Sequence, residues 1–365
     1  MYYVKQYHCI PPTYGGVQVF VKRLMLSLCK RGFISGAFKG NKFEGIPRDL
    51  EFLLDKFPNH SRSLYVLPEF VRLFKVFKEY QLIHTHTTLS TVFGIWLIHK
   101  LQHKPVVYTV HNQMIDQEYS FLNVIDRFCV RSLAADKTVQ FITVNENGKR
   151  ALIERGLKFA NEIVVMPAYI PPVEIGVPSD YLSEELVSFS QQDKPTLLFY
   201  AESFAISADK DIYGTSTIIE LFVALKDSYP DLRLVFCMAN INNDYSKLDK
   251  LKQQIANTGF GKDVFWQIGS VSEMWPLLKS STVLVRPTTT DGDSIMIREA
   301  LAYGLPVITT DVAKRPDGCI ICKTEDMYDL LTKTKLFLSA PYRKKYHQVD
   351  HTEEIISIYN KLLSM

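Results

Sequence analysis

The strongest constraint on the fold is a regular alternation of short β-branched or aromatic runs with helix-length amphipathic segments along the whole chain. Strand candidates in the first half are Tyr2–Tyr7, Leu82–His86, Val106–Val110, Phe141–Val144 and Ile163–Met166. In the second half they are Thr196–Tyr200, Leu232–Met238, Val264–Gln267, Thr282–Arg286 and Val307–Thr309. Strands that are separated by helices in this way predict parallel sheets built from crossover units.

A proline-rich stretch divides the chain near its middle. Pro167, Pro171, Pro172 and Pro178 precede the polar segment Ser183–Asp193, and prolines at this density cannot continue a sheet. A length of 365 residues corresponds to about two domains. We therefore predict an α/β protein with two Rossmann-like, doubly wound domains.

The predicted domains are residues 1–170 and residues 194–345, joined by a linker at 171–193. A final helix is predicted within Tyr342–Met365, with the last domain segment at 346–365. Five apolar residues fall near one face of this helix: Ile355, Ile356, Tyr359, Leu362 and Leu363.

Composition narrows the function classes. Hydrophobic residues make up 47% of the chain and charged residues 22%, which excludes a disordered protein. The net charge of +3 is low for a protein that binds nucleic acid, so no nucleic-acid partner is expected. No apolar run approaches the roughly 18 residues of a membrane span, and the N-terminus lacks the pattern of a secretory signal. We expect a cytoplasmic protein.

Charge is distributed unevenly between the two halves. Residues 1–180 contain 22 Lys and Arg against 15 Asp and Glu, whereas residues 181–365 contain 20 against 24. A basic first half indicates that one domain faces something anionic. Within it, the segment Ser63–Tyr80 predicts a helix with one apolar face: Leu67, Phe70, Val71, Phe74 and Phe77. A crossover helix packed on its sheet is favoured, and peripheral contact with an anionic membrane is left open.

The cysteines do not form a disulfide framework, because six are spread over the whole length. Five of them lie in apolar or helical surroundings and predict buried thiols: Cys29, Cys129, Cys237, Cys319 and Cys322. The last two have the spacing of half a zinc site, but the sequence has no second pair.

The most informative segment is Val283–Asp311, where an apolar strand runs into a loop and then into a helix. The helix is predicted to begin near Asp293 or Ser294, just past the carboxyl end of a parallel strand. Open α/β sheets bind ligands there, and the free N–H groups of a helix start favour a phosphate. Asp291 and Glu299 can then face the same ligand, where carboxylates accept hydrogen bonds from sugar hydroxyls.

Two weaker signals lie in the first half. Gly15 and Gly16 form a tight loop between a strand and a helix, where backbone can approach a ligand closely. His84 and His86 end one strand, and His111 directly follows the next. His111 is the strongest histidine candidate, because it is expected at the sheet edge where ligands bind.

On these residues the chain resembles the retaining glycosyltransferases of family 4, which share the two-domain GT-B fold. The motifs that carry the resemblance are Pro11–Leu24, Thr109–His111, Thr143–Asn147, Ile163–Pro167, Phe265–Gly269 with Ser272–Leu278, and Asp291–Ile308. The last motif, with its trailing Gly-x-Pro-Val-Ile, is the most specific. The resemblance implies two Rossmann-like domains that face each other across a cleft, with the last helix returning to the first domain.

The resemblance also implies a reaction: transfer of a sugar from a nucleoside diphosphate sugar to an acceptor hydroxyl, with retention at the anomeric carbon. Glu299 would hold the ribose hydroxyls, Asp291 the donor-sugar hydroxyls, and His111 would contact the sugar. Similar chains often serve bacterial capsule, lipopolysaccharide or exopolysaccharide assembly, so a saccharide or lipid-linked saccharide acceptor is expected. No metal or other cofactor is expected. Donor-binding positions are Gly15, Gly16, Gly292, Asp293, Ser294, Ile295, Met296, Lys210 and Arg286, and the nucleotide pocket includes Ile268 and Gly269.

The chain departs from the family pattern where the donor diphosphate binds. The usual Arg position holds Glu202, and the usual Lys position is either Lys210 or Tyr213. A diphosphate leaving group needs cations or aligned N–H donors, which Arg286, Lys210 and the helix start at residues 294–296 are expected to supply. The first paired carboxylate is also Asp291, where the family has Glu.

Three alternatives stay open. Asp291 and Asp293 have the spacing of an Asp-x-Asp metal site, which would make the enzyme metal-dependent. The missing diphosphate cations suggest a catalytically silent homologue that binds a nucleotide-sugar or a partner enzyme. A nucleotide-sugar epimerase shares the fold. The sequence has no fingerprint of dinucleotide binding, of a P-loop or of a serine hydrolase elbow.

Overall fold

The computed structural model describes most of the chain in two compact units. One unit comprises Met1–Ile170 with Val349–Met365, and the other comprises Pro171–Gln348. The described residues are 3–9, 16–39, 46, 48–56, 67–89, 92–111, 119–172, 174, 177–190, 193–207, 210–241, 243–271, 273–291 and 293–365. Gly15 and Gly292, both candidate donor-binding residues, lie outside them.

Strands and helices alternate throughout, as the sequence predicts. The strands are β1 (Tyr3–Cys9), β2 (Ile34–Lys39), β3 (Leu54–Lys56), β4 (Leu82–Thr85), β5 (Val106–Val110), β6 (Val139–Thr143), β7 (Val164–Val165), β8 (Thr196–Ser203), β9 (Ile206–Ser207), β10 (Lys210–Asp211), β11 (Arg233–Asn240), β12 (Val264–Ile268), β13 (Val283–Arg286), β14 (Val307–Thr310) and β15 (Cys319–Cys322). The α-helices are α1 (Gly16–Lys30), α2 (Leu67–Lys78), α3 (Val92–Gln102), α4 (Val124–Ala134), α5 (Glu146–Glu154), α6 (Glu184–Ser190), α7 (Thr215–Lys226), α8 (Tyr245–Ala256), α9 (Trp275–Ser280), α10 (Ile295–Ala302), α11 (Met327–Ser339) and α12 (Thr352–Leu363). Short 3-10 helices occupy Arg48–Leu53, Pro178–Asp180 and Gly261–Asp263.

Each unit contains a parallel sheet with the same winding. The first sheet has the order β3-β2-β1-β4-β5-β6-β7, and the second has the order β12-β11-β8-β13-β14-β15. In both, the chain adds strands to one side of the first strand and then crosses to the other side. This is the doubly wound Rossmann order, so the predicted α/β fold class is confirmed. A crevice for ligands is expected where the order reverses, between β1 and β4 and between β8 and β13.

The second sheet is covered on both faces by apolar clusters. Leu197 and Phe199 of β8 point into one cluster, and Leu198, between them, points into the other. The segment 171–193, predicted to be a linker, contains α6, whose Leu186 is fully buried in the second of these clusters. Residues of this segment therefore already pack in the core of the second unit before β8 begins.

Helix α12 packs against α1 in the first unit. Its Ile355, Tyr359 and Leu362 are buried, and the hydroxyls of Ser27 and Thr352 lie 3.1 Å apart. Residues 342–351, which were expected to be helical, are irregular instead. The reason is a tertiary contact: the backbone N–H of Tyr346 donates to the carbonyl of Leu301 at 3.0 Å, outside any helical pattern.

Two details of the predicted burial are wrong. Val71 was placed on the apolar face of α2 but is 44% exposed, while Leu73 is fully buried. The i, i+3, i+4, i+7 stripe of this helix runs through residues 70, 73, 74 and 77, which leaves position 71 beside it. Cys29 and Cys319 are half-buried rather than core thiols.

Strands β2 and β3 were not predicted. Ser35, Gly36 and Lys39 interrupt the apolar pattern of β2, and β3 has only three residues. No helix among the described residues is both long and apolar enough to cross a bilayer.

Candidate active site

The candidate site in the second unit is built at the carboxyl end of β13, next to the point where the strand order reverses. Arg286 ends β13, and its guanidinium binds Asp291 through two hydrogen bonds, Nε to Oδ2 at 2.9 Å and Nη2 to Oδ1 at 3.1 Å. Both side chains are 9% exposed. Asp291 is thus held in a bidentate, partly desolvated ion pair, the strongest form of this interaction.

A second arginine, Arg315, grips the same carboxylate. Its Nη1 donates to Asp291 Oδ2 at 2.8 Å, and its Nε donates to the carbonyl of Thr310 at 2.9 Å. Its Nη2 reaches the hydroxyls of Thr288 and Thr310. Every guanidinium nitrogen of Arg315 is therefore used within the unit, and this residue braces the loop that carries Asp291.

The electrostatics of this cluster favour the ionised forms of Asp291 and Arg286. Burial disfavours ionisation of Asp291, but Arg286 and then Arg315 outweigh it and hold the pKa of Asp291 below its ordinary value. Burial likewise opposes the charge on Arg286, but Asp291 raises its pKa. Two guanidinium groups share one carboxylate, so this cluster of three side chains carries excess positive charge.

Arg286 also faces the residue that stands at one of the family's usual lysine positions. Its guanidinium carbon lies 5.6 Å from the centre of the Tyr213 ring. Nε and Nη2 are engaged by Asp291, and among the described residues no acceptor is found for Nη1. Arg286 therefore has donors to spare at this edge.

Helix α10 starts beside the cluster. Ser294 is its N-cap residue, as the sequence predicts, and its side chain makes no capping hydrogen bond. Ile295 and Met296 open the first turn and are half-buried, and Glu299 lies further along, buried at 4% exposure. The start of α10 is therefore free of a capping side chain from its own N-cap residue.

The neighbouring helix α7 is different, because a carboxylate occupies its start. Asp211 accepts from the backbone N–H of Thr215 at 2.8 Å and of Tyr213 at 3.2 Å. An anionic ligand would meet this negative charge at α7, whereas the start of α10 has a guanidinium pair beside it.

Asp293 does not join Asp291. Its carboxylate binds Nε of Arg298, at 2.7 and 3.0 Å, five residues further along the chain. The two aspartates of the Asp-x-Asp spacing are thus each engaged by arginine, and a divalent ion at both would have to displace these pairs.

The other residues considered in the second unit lie outside the hydrogen bonds that join Arg286, Asp291 and Arg315. Lys210 forms an exposed ion pair with Glu325 at 2.5 Å. Ile268 and Gly269 lie at the end of β12, three strands from β13, which corresponds to about 14 Å at the usual spacing of strands. Glu202 is half-buried and accepts from the Ser203 hydroxyl at 2.8 Å.

In the first unit, His111 follows β5 and is half-buried. Its Nε2 lies 3.1 Å from Nδ1 of His86, and the ring of Phe20 packs edge-on against both imidazoles. Burial, and then nearby His8, lowers the pKa of His111 to about 3, so the imidazole is neutral near pH 7. Gly16 is the exposed first residue of α1.

Sequence reasoning missed Arg315 and the buried partners of His86. Arg315 lies five residues past the end of β14, the strand beside β13. A basic residue after a neighbouring parallel strand is a signal that would have found it, because those loops converge on one edge.

Two sequence profiles of known protein families match the chain, one in each of its two units. The sequence profile described as Glycosyltransferase Family 4 matches residues 14–172, and that described as Glycosyl transferases group 1 matches residues 191–321. The chain belongs to the family 4 glycosyltransferases. No curated protein sequence matches it.

Several solved structures share the fold at low sequence identity. The HepE protein of Anabaena, in complex with UDP and glucose, is 14% identical over 100% of this chain and 94% of its own, with a TM-score of 0.67. Sucrose-phosphate synthase from Thermosynechococcus elongatus is 15% identical over 99% and 96%, with a TM-score of 0.64. WaaG, a glycosyltransferase involved in lipopolysaccharide biosynthesis, is 15% identical over 99% and 90%, with a TM-score of 0.55. At this identity the likeness establishes the GT-B fold alone.

Proposed function

We propose that this glycosyltransferase moves a sugar from a nucleoside diphosphate sugar to a hydroxyl of a saccharide or lipid-linked saccharide, with retention, in bacterial surface polysaccharide synthesis. The observation that carries the proposal is the cluster of Arg286, Arg315 and Asp291 beside the start of α10, where the N-cap residue Ser294 makes no side-chain capping hydrogen bond. Similar proteins include one in complex with UDP and glucose and one involved in lipopolysaccharide biosynthesis.

In this proposal the diphosphate rests at the start of α10. The N–H groups of the first turn and the Nη1 donors of Arg286 stabilise the charge that develops on the leaving group. Arg286 thereby replaces the family arginine, whose position holds Glu202, and the family lysine if its position is Tyr213 rather than Lys210. Glu299 binds the ribose hydroxyls, Asp291 orients the donor sugar, and His111 contacts it.

No metal is required in this arrangement. Asp291 is already neutralised by two arginines and Asp293 by a third, so the charge that a divalent ion would supply is provided by guanidinium groups. Turnover in excess chelator is expected to equal turnover without it, and a loss restored by added Mg²⁺ or Mn²⁺ would contradict this part of the proposal.

The donor site is tested by nucleotide binding. A thermal-shift series with UDP, GDP, ADP and CMP should show preferential stabilisation by one of them, because a ligand that binds only the native state raises its melting temperature. Arg286→Met should weaken binding of that diphosphate at least about tenfold, the size of one charge-assisted hydrogen bond, and leave binding of the corresponding nucleoside unchanged. In this variant Asp291 keeps Arg315 as its partner.

The matched control is Arg298→Met, which removes an arginine of α10 but leaves the Asp291 cluster intact. Equal diphosphate binding in both variants would contradict the role of Arg286.

Glu299→Gln should lower turnover by orders of magnitude, and NMR of the product should show the anomeric configuration of the donor. Inversion would contradict the retaining mechanism.

One observation favours a second function, a catalytically silent subunit that binds a nucleotide-sugar. Glu202 places a carboxylate at the usual arginine position, where it would repel a diphosphate. Product formation from any nucleoside diphosphate sugar excludes this alternative, and tight donor binding without product or hydrolysis favours it.

We also propose peripheral contact with the inner face of the plasma membrane through the basic first unit. Three apolar side chains on α4 and one just before it are largely exposed: Val124 at 82%, Ile125 and Phe128 at 59%, and Phe121 at 86%. Arg131 is exposed on the same helix. Exposed apolar side chains with nearby basic residues fit an anionic bilayer surface.

Membrane contact is tested by cosedimentation with vesicles. The protein should bind vesicles containing phosphatidylglycerol, and the double variant Phe121→Ser/Phe128→Ser should lose most of this binding. Tyr328→Ser with Leu336→Ser, which removes two similarly exposed apolar residues of the second unit, serves as the control. Equal binding by all three proteins would contradict this surface.

A further inference from the structure

A continuous chain of hydrogen-bonded side chains runs through the first unit to His111. It connects strands β1, β4 and β5 and helix α12, and its members, in order, are Thr109, His84, Tyr359, Gln6, His86 and His111. The first five are buried, at 4% exposure or less, and His111 is half-buried at the end of the chain. Because buried polar atoms must be satisfied by protein partners, the direction of each hydrogen bond constrains the next.

The direction is set at Gln6. Its amide nitrogen donates to the hydroxyl of Tyr359 at 3.3 Å, and to that of Ser35 at 3.4 Å, so its carbonyl oxygen faces Nε2 of His86 at 2.8 Å. A carbonyl oxygen cannot donate a hydrogen bond. His86 must therefore carry its proton on Nε2.

The consequence passes to His111. Burial, followed by the neighbouring histidines, holds the pKa of His86 well below its ordinary value, so its imidazole has a single proton. With that proton on Nε2, Nδ1 of His86 is an acceptor, and His111 must donate to it from its own Nε2 at 3.1 Å. His111 is then left with an unprotonated Nδ1.

The other end of the chain is consistent with this direction. Tyr359 accepts from Gln6, so its one hydroxyl proton goes to Nδ1 of His84 at 2.5 Å. His84 then donates from Nε2 to the hydroxyl of Thr109 at 2.7 Å. All five links point the same way, and an inverted Gln6 amide would reverse every one of them.

We propose that Tyr359 of the last helix, acting through Gln6 and His86, fixes the tautomer of His111 so that Nδ1 is presented as a hydrogen-bond acceptor. Tyr359, Gln6 and His86 are positioning residues, and the group that His111 accepts from is a hydroxyl or another neutral donor. Only the assignment of that group to the donor sugar rests on the function proposed above. Phe20, packed at 5.7 and 5.2 Å from the two imidazole centres, holds the rings in the required planes.

The tautomers are directly measurable in the full-length protein with ¹⁵N-labelled histidine at pH 7.5. Long-range ¹H–¹⁵N NMR spectra should show protonated Nε2 and bare Nδ1 for His84, His86 and His111, assigned by single His→Gln variants. Protonated Nδ1 on His111 in the wild-type protein would overturn the proposal without any variant.

Tyr359→Phe removes the hydroxyl and keeps the ring. We expect the single tautomer of His111 to be replaced by a mixture, because the Gln6 amide loses the partner that orients it. Ile355→Val, a conservative change at a buried position of the same helix, should leave the tautomer unchanged. An unchanged His111 tautomer in a folded Tyr359→Phe protein would contradict control by Tyr359.

Activity gives an independent readout. Tyr359→Phe should lower kcat/KM for the donor in proportion to the fraction of His111 that leaves the competent tautomer, about twofold for an even mixture, with Ile355→Val at the wild-type value. If no donor is turned over but the tautomers are as stated, the proposed function fails and this inference stands. If turnover is found with Nδ1 of His111 protonated, only this inference fails.

Discussion

Buried ionisable side chains behave in opposite ways at the candidate sites of the two units. In the second unit Asp291 stays charged because Arg286 and Arg315 compensate its burial. In the first unit His84, His86 and His111 stay neutral, because burial, and then the neighbouring histidines, lower the pKa of each. Paired charges suit a site that must offset a phosphate, and neutral groups suit a site that orients hydroxyls.

The neutral histidines make the stability of the first unit dependent on pH. Their folded-state pKa values lie below the unfolded value of about 6.5, so the unfolded state binds more protons as the pH falls through 6.5 towards 3. Each group then costs up to about 1.4 kcal/mol of unfolding free energy per pH unit.

We therefore expect the urea concentration at the unfolding midpoint of the first unit to decrease when the pH is lowered from 7.5 to 5.5. Ordinary carboxylates titrate below this range of pH. Both units contain tryptophan, Trp96 in the first and Trp266 and Trp275 in the second, so tryptophan fluorescence of a Trp266→Phe/Trp275→Phe protein follows the first unit alone. An unfolding midpoint that is equal at both pH values would show that the three imidazoles are not held neutral.

At the scale of elements, the start of α7 is pressed against the loop that follows β13. Gly214 is the N-cap of α7 with φ of +70°, and Thr289 donates to the carbonyl of Ile212 at 3.0 Å. A Cβ on Gly214 would lie 2.4 Å from the carbonyl oxygen of Pro287, the residue after Arg286. This contact holds in place the start of the loop that directly follows Arg286.

Gly214→Ala should therefore destabilise the second unit more than the left-handed backbone alone explains. The matched control is Gly259→Ala, at φ of +79° in the same unit with nothing within 4 Å of the added Cβ, which should cost about 1–2 kcal/mol. Denaturant unfolding of both variants gives the difference. Equal costs would show that the loop yields to the added methyl group.

At the scale of the whole molecule, the first unit is discontinuous in sequence. Residues 349–365 follow the second unit but pack with residues 1–170. Arg31 of the segment after α1 pairs with Asp350 at 3.3 Å and with Glu353 at 2.5 Å, next to the buried face of α12. The two units are therefore expected to unfold separately while sharing one continuous chain.

Truncation after Gln348 should lower the melting temperature of the first unit and leave that of the second unchanged. The deletion removes three buried side chains, Ile355, Tyr359 and Leu362, each worth roughly 1.5–3 kcal/mol. Removal of Ser364 and Met365 alone, both exposed, is the control. Scanning calorimetry tests this, and an unaltered first transition would contradict the packing of α12.

Much of the architecture followed from the sequence because strand and helix periodicities are local. The alternation identified both sheets, and Ser294 marked the start of α10 correctly. Local patterns were insufficient where tertiary packing decides: they missed the short edge strand β3, and they put Val71 on the wrong side of α2.

By itself, the sequence determined that the chain forms two doubly wound sheets and that a helix begins between Asp291 and Glu299, just past the carboxyl end of a parallel strand. Only the tertiary structure decided which groups these residues meet. Arg315 reaches Asp291 from 24 residues away, and Gln6 meets Tyr359 across 353 residues. Periodicity specifies which face of an element is buried, whereas a hydrogen-bond partner depends on which distant element packs over that face.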